Sequence, residues 1–385
     1  MRHWHEVVRQ VEALEDVPLD RALVGDLEAA THASGDTRSN ALTFFTPTFK
    51  RFQSTEINTC SAASWPAVSI TGADCALQCD HCRAKVLEPM LAATTPDRLW
   101  RVVNDAIDAG AKGMLLTGGS THRNEVNYGP FWPMVRRIKN TFPGFRIACH
   151  TALMDSDSVL AMEQAGVDVA MLDVIGAQDT VTQVYHLRRS VNDFERTLSH
   201  LAASSMYVVP HIVVGLHYGH LLGEWNALDM VNRHRFDALV LVVAMPYYAP
   251  PKRPFKIPDP HAIGRFFALA RQRVARKPLL LGCARPAGRA KTVIDTYAVM
   301  AGFDGIAHPA EGMVELATRL GKTSKVNASC CSMVVGEQLI GETVMQSNSR
   351  YTLVSPTATH SVEYSAPRLF SIRQNHIAGI PIVVE

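Results

Sequence analysis

From about Ala67 onward the chain alternates short β-branched runs with longer amphipathic ones. The apolar runs are AVSIT (67–71), GMLLT (113–117), FRIACH (145–150), DVAMLDV (168–174), YVVPHIVVG (207–215), ALVLVVAM (238–245), PLLLGCA (278–284) and FDGIAH (303–308). Each has the length and composition of a strand buried on both faces. Between them lie stretches with helical spacing: PDRLWRVVNDAIDAG, SDSVLAMEQAG, VNDFERTLSHLAAS, HAIGRFFALARQRVARK and AEGMVELATRLG. Several end in glycine, which accepts the left-handed conformation that closes a helix. Strands alternating with helices predict an α/β fold with a parallel sheet. Eight such units fit a TIM-type (β/α)8 barrel, whose chemistry sits at the carboxyl ends of the strands.

The pattern divides the chain into three parts. Residues 1–66 read as a helical and irregular N-terminal extension, 67–325 as the barrel, and 326–385 as a small β-rich C-terminal extension carrying Cys330 and Cys331. The stretch 246–260, PYYAPPKRPFKIPDP, reads as a proline-rich loop at the barrel mouth. No repeat of solenoid length is present.

Composition narrows the function classes. Hydrophobic residues make up 47% of the 385 and charged residues 19%, which suits a large packed core and not a disordered chain. The net charge of +2 gives no sign of the basic face of a nucleic-acid binder. The N-terminal MRHWHEVVRQVEAL is amphipathic and unlike a signal peptide. No run reaches the roughly 20 apolar residues of a membrane span. The expected setting is cytoplasmic, without membrane or nucleic-acid partners. There the eight cysteines point to metal ligation or catalysis rather than disulfides.

The sharpest motif is Cys75-Ala-Leu-Gln-Cys79-Asp-His-Cys82, directly after the first expected strand. Three thiolates in one short loop suit three irons of a cubane cluster and leave a fourth open to a small molecule. The same cysteines with His81 also have zinc-ligand chemistry, which would make the chain a zinc-stapled barrel acting as a binding module.

CxxxCxxC after the first strand of a barrel resembles the radical S-adenosylmethionine (SAM) superfamily, over about residues 65–310. The resemblance implies a 4Fe–4S cluster on Cys75, Cys79 and Cys82. Its open iron binds SAM, and reductive cleavage yields a 5′-deoxyadenosyl radical that removes hydrogen from an unactivated carbon. The cofactor carries that chemistry, so no side chain is assigned as catalytic. Thr117, Gly118, Gly119 and Ser120 resemble the glycine-rich motif that contacts the SAM amino group, or form an ordinary strand-to-helix turn. Asp173 falls where a polar residue binds the SAM ribose. His211, Val213 and Gly215 resemble the segment that packs along SAM, although His211 and His217 also suit polar positions at the rim. Arg285 and Arg289 have the charge to hold the SAM carboxylate or a cluster, or to form surface ion pairs.

Within that superfamily, 147–168 resembles biotin synthase. Cys149 falls on one ligand of that enzyme's second cluster, but the other two positions lack cysteine, so Cys149 reads as a buried strand residue. Cys60, Cys283, Cys330 and Cys331 are expected to converge at one side of the mouth, either as a second iron–sulfur cluster able to donate sulfide or as inert buried thiols. CALQCDHC, TGGS, PHIVVGLHYG, LGCARPAGR and ASCCS together resemble one subunit of the two-subunit lipoyl synthase. That likeness implies a sulfurtransferase acting on a protein-bound octanoyl chain. It also implies a related radical SAM partner subunit, an octanoylated carrier protein or lipoyl domain, and an electron donor such as ferredoxin or flavodoxin. Met245, Tyr247 and Tyr248 would line the mouth or pack the proline-rich loop. The rival within the superfamily is a single-cluster mutase, lyase or cofactor-maturation enzyme.

Overall fold

A computed structural model describes residues 3–33, 40–48, 53–57, 64–245, 255–274, 277–339 and 343–344. All belong to the first of the two units into which the chain divides, 1–353; the second, 354–385, lies outside them. Twelve strands are found among the described residues: β1 (Ala41–Phe45), β2 (Ala67–Ser69), β3 (Leu91–Ala92), β4 (Gly113–Thr117), β5 (Arg146–Thr151), β6 (Val169–Asp173), β7 (Tyr207–Val214), β8 (Leu239–Val243), β9 (Leu279–Leu281), β10 (Gly305–Ala307), β11 (Thr323–Asn327) and β12 (Thr343–Val344). They form one sheet, ordered β12-β11-β1-β10-β9-β8-β7-β6-β5-β4-β2-β3. Every pairing is parallel except β11 with β12.

The eight expected strands are β2 and β4 to β10. The helices between them form for the reasons the pattern supplies. In Pro96–Asp108, proline opens the helix, the Thr95 side chain accepts from the Arg98 N–H at 3.2 Å, and Leu99, Val103 and Ala106 bury one face. Gly110, at φ +94°, follows its end.

The sheet takes more chain than the pattern indicated. β1 lies in the segment expected to be an irregular extension, yet pairs in register with both β10 and β11. The five residues ALTFF run into the stretch read as irregular, ahead of the strand–helix alternation that begins near Ala67. β11 likewise runs past residue 325, so the sheet draws on both flanking segments. Its edges are β12 and β3, making it an open, barrel-type sheet among the described residues.

The two faces have separate cores. Outward side chains such as Ile147, Cys149, Leu172, Val208 and Leu241 pack with the helices. Inward ones, including Phe45, Ala148, Met171, Val209, Val240, Leu280 and Ala307, meet Trp65, Cys331 and Met333. The turn Cys331–Leu339 touches both β6 and β10, four strands apart in the sheet. The turn therefore spans the inner face of the sheet between these strands. That turn plugs the interior, and the cavity lies above it.

Candidate active site

Strand alternation sets the site. Side chains two apart share a face, so the inward positions near the carboxyl ends are Leu115 and Thr117, His150, Met171 and Asp173, His211 and Val213, and Val242. All line one cavity of ≈ 340 Å³. Ligands bind at this end of parallel sheets.

The cysteine loop closes one side. Cys75, Cys79 and Cys82 all line the cavity, and none forms a disulfide. Backbone bonds hold the loop to the turn after β4: Ala76 N–H donates to the Ser120 carbonyl at 2.8 Å, and Ser120 N–H donates to Cys75 Sγ at 3.3 Å. Gly119 N–H donates to Thr71 Oγ1 at 2.7 Å. A Cβ on Gly119 would fall 1.9 Å from the Asp74 carbonyl oxygen and 2.7 Å from Cys75 Cα. Glycine is required there because the two backbones touch. Thr117, Gly118, Gly119 and Ser120 all face the cavity.

Asp80, between two of the cysteines, anchors the loop. It is buried. Its Oδ1 lies 2.8 Å from His186 Nε2, its Oδ2 accepts from the Tyr218 hydroxyl at 2.8 Å, and its N–H donates to the Val184 carbonyl at 2.9 Å. Gln78, Arg83, Ala84, His186 and Tyr218 all have φ between 46° and 61°. Backbone held in this region by non-glycine residues is strained and concentrates at functional sites. Sequence reading missed this clamp, because its partners lie 106 and 138 residues away and have no local signal.

Another part of the lining is polar. His150 Nε2 lies 3.6 Å from Asp173 Oδ1, and the His150 and His211 rings meet edge-on with centroids 5.4 Å apart. Burial opposes charge on Asp173. The charge and hydrogen bond of His150, with the charges of His211 and His81, outweigh it and hold the carboxyl at about 2. Burial also opposes charge on His150, but Asp173 reverses the balance and raises its pKa. Burial and His150 lower His211 to about 4. Its Nδ1 pairs with the Val209 carbonyl at 3.0 Å, which leaves Nε2 as the acceptor of a neutral ring. His150 had not been singled out; its place on the inward face of β5 was the signal.

Below this wall, Cys283 and Cys330 are half-buried and Cys331 is buried, and all three line the cavity. The hydrogen bond from Cys331 is the largest influence on Cys330 and lowers it to about 7, while Cys331 is raised. Cys60 lies outside the described residues, as do Tyr247 and Tyr248. Met245 lines the cavity.

Two expectations need correction. Arg285 does not face the cavity. It is buried, with Nε and Nη2 donating to Asp295 at 2.6 and 2.9 Å, Nη1 to the Gly282 carbonyl at 2.7 Å, and Nη2 to the His308 carbonyl at 2.8 Å. A buried guanidinium needs such partners, and these use four of its five N–H donors away from the cavity. Gly215 is also outside the lining. It has φ +77°, its N–H donates to Glu224 at 2.7 Å, and a Cβ would strike Pro258 at 2.2 Å. His211 and Val213, from the same motif, do face the cavity. Cys149 is the buried strand residue expected: it points to the outer core, where burial raises it to about 12.

The fold and site together define a class: an open α/β barrel with a clamped three-cysteine loop at its mouth. Comparison with solved structures places the fold. The chain is similar to HydG, a maturase of the [FeFe]-hydrogenase, at 12% identity and TM-score 0.52, over 79% of this chain and 68% of that one. It is similar to the methylornithine synthase PylB at 12% identity and TM-score 0.50, over 80% and 86%. A likeness at TM-score 0.38 and 10% identity is found with the Escherichia coli coproporphyrinogen III oxidase HemN, described as a radical SAM enzyme, over 55% and 52%. The chain matches no family model and no curated protein by sequence. No helix among the described residues is long and apolar enough to cross a membrane.

Proposed function

We propose that this protein is a radical SAM enzyme, holding a 4Fe–4S cluster on Cys75, Cys79 and Cys82 and SAM in the cavity beside it. The observation that carries the reading is the loop itself: three thiols at the carboxyl end of β2, clamped by Asp80 and facing one cavity. Among the described residues no three Cys, His, Asp or Glu converge on a single-ion site. A cubane needs no such convergence, because each thiolate takes a different iron. When bound, the cluster supplies one electron that cleaves SAM into methionine and a carbon radical. The residues of the chain bind and shield. The backbone of Thr117–Ser120 approaches the ligand, the charged Asp173 accepts hydrogen bonds from ribose hydroxyls, and His211 and Val213 pack along it. Leu87 and Met90 help exclude water from the cavity.

Within this class we read the reaction as sulfur insertion, by a lipoyl-synthase-like subunit acting on an octanoyl chain of a carrier protein or lipoyl domain with a related radical SAM partner. Cys283, Cys330 and Cys331 on the same cavity support a second iron–sulfur cluster as the sulfur source. A specific observation favours the single-cluster reading, a mutase, lyase or cofactor-maturation enzyme: Cys331, although it reaches the cavity, is buried in the same apolar cluster as Phe45, Met171 and Leu280.

The test is reductive SAM cleavage. With dithionite and SAM, the anaerobically reconstituted protein is expected to form 5′-deoxyadenosine, and Cys79→Ala to form none while keeping its far-ultraviolet circular dichroism. Product formation by the variant would remove the loop from the mechanism.

A further inference from the structure

The clamp on Asp80 continues outward, away from the cysteine loop. Tyr218 stands in the turn after β7, and its hydroxyl lies 2.8 Å from Asp80 Oδ2 and 2.8 Å from the Gln183 carbonyl. A phenol has one hydrogen to donate, so the two acceptors compete for it, and a carboxylate is the stronger. The position of the Tyr218 ring therefore decides which acceptor is served. Segment 255–258, ahead of the helix Pro260–Arg273, sets that position. Phe255 is buried against the ring, with centroids 4.9 Å apart. Lys256 N–H donates to the Tyr218 carbonyl at 3.2 Å. The two backbones touch, since a Cβ on Gly219 would fall 2.4 Å from the Lys256 carbonyl oxygen. Lys256 and Ile257 are exposed, so only one side of this segment faces the clamp. A continuous series of contacts thus runs from a surface segment through Phe255, Tyr218 and Asp80 to the loop of Cys79 and Cys82.

We propose that Tyr218 and Phe255 are positioning residues for the cysteine loop: Phe255 holds the Tyr218 hydroxyl on Asp80, and segment 255–258 thereby sets the arrangement of the three thiols from outside. The effect on a cluster rests on the radical SAM reading above; the effect on the thiols rests on the contacts alone. Gln78, Arg83 and Ala84 keep positive φ in this loop. Such backbone persists only where its surroundings fix it. The Tyr218 hydroxyl is one of three groups that do so through Asp80, with His186 and the Val184 carbonyl. Trimming Phe255 lets the ring turn from Asp80 toward Gln183. That loosens the loop without touching any residue in it.

The experiment compares full-length wild type with Tyr218→Phe, which removes only the hydroxyl, and Phe255→Leu, which keeps an apolar side chain. On the reduced, metal-free chain, iodoacetamide labelling of Cys79, only 5% exposed, is followed by peptide mass spectrometry. Both variants are expected to raise its rate at least about tenfold, as local opening does. Cys149, buried in the outer core, should stay protected and so separates local from global loosening. The double variant should open no further than Tyr218→Phe, because both changes act through one hydroxyl. Ile257→Ala, on the exposed side of the same segment, should match wild type. On the reconstituted chain, the electron paramagnetic resonance spectrum of the reduced cluster should broaden in both single variants at unchanged iron content. Wild-type labelling of Cys79 in either single variant would overturn the proposal. So would equal gains at Cys149 or in Ile257→Ala, additive gains in the double variant, or an unaltered cluster spectrum. If the wild type takes up no iron, the radical SAM reading fails, and the labelling of Cys79 still decides this one.

Discussion

Gly119 and Asp173 show how single residues fix the site. Gly119 lets the turn after β4 touch the cysteine loop, so Gly119→Ala must push the loop away. The expected cost is about 1–3 kcal/mol, the usual penalty of overpacking, together with a lower iron content after reconstitution. Gly25, on the helix Arg21–Ala33, has nothing within 4 Å of its would-be Cβ. Gly25→Ala should instead gain about 0.5–1 kcal/mol, because alanine loses less backbone entropy in a helix. Thermal melts of the two variants should shift in opposite directions; equal shifts would mean the contact at Gly119 is not what matters. The unfolded value of a carboxyl is about 3.9. Asp173 is held at about 2, so the stability it gives is present above about pH 4 and is lost as pH falls toward 2. His150 is raised, so its contribution is full below its unfolded value and fades as pH rises through the folded one. In Asp173→Asn, burial should dominate and bring His150 below its ordinary value. An imidazole titration followed by NMR reads this directly, and an unchanged His150 would mean that Asp173 does not set its charge.

At the scale of elements, the strands were legible and their flanks were not. All eight apolar runs after residue 66 became strands, because a strand covered on both faces reads as an uninterrupted apolar segment. β1 is just as buried, but it stands outside the strand–helix alternation that marked the others. The cysteine loop was legible from its spacing alone. Its clamp and the His150–Asp173 pair are made by residues far apart in sequence, and the fold brings them together. Arg285 shows the limit from the other side. An arginine after β9 near the mouth suggests a ligand contact, but the local turn and Asp295 take its donors. Arg285→Ala would leave Asp295 buried without its guanidinium partner, at an expected cost of about 3–5 kcal/mol. SAM affinity of the folded protein should persist. Retained stability with lost SAM binding would return Arg285 to the ligand.

For the molecule as a whole, one sheet carries two cores and one mouth. The helices seal its outside, the turn after Cys331 plugs its inside, and the remaining space holds every cysteine that faces inward among the described residues. The most direct test of this account is iron and acid-labile sulfide per chain after anaerobic reconstitution, in the wild type and in a variant lacking Cys75, Cys79 and Cys82. The account predicts that the variant loses about four irons relative to the wild type, from about eight if Cys283, Cys330 and Cys331 hold a second cluster or from about four if they do not. Equal iron in the two proteins, or zinc in place of iron in the wild type, would contradict it.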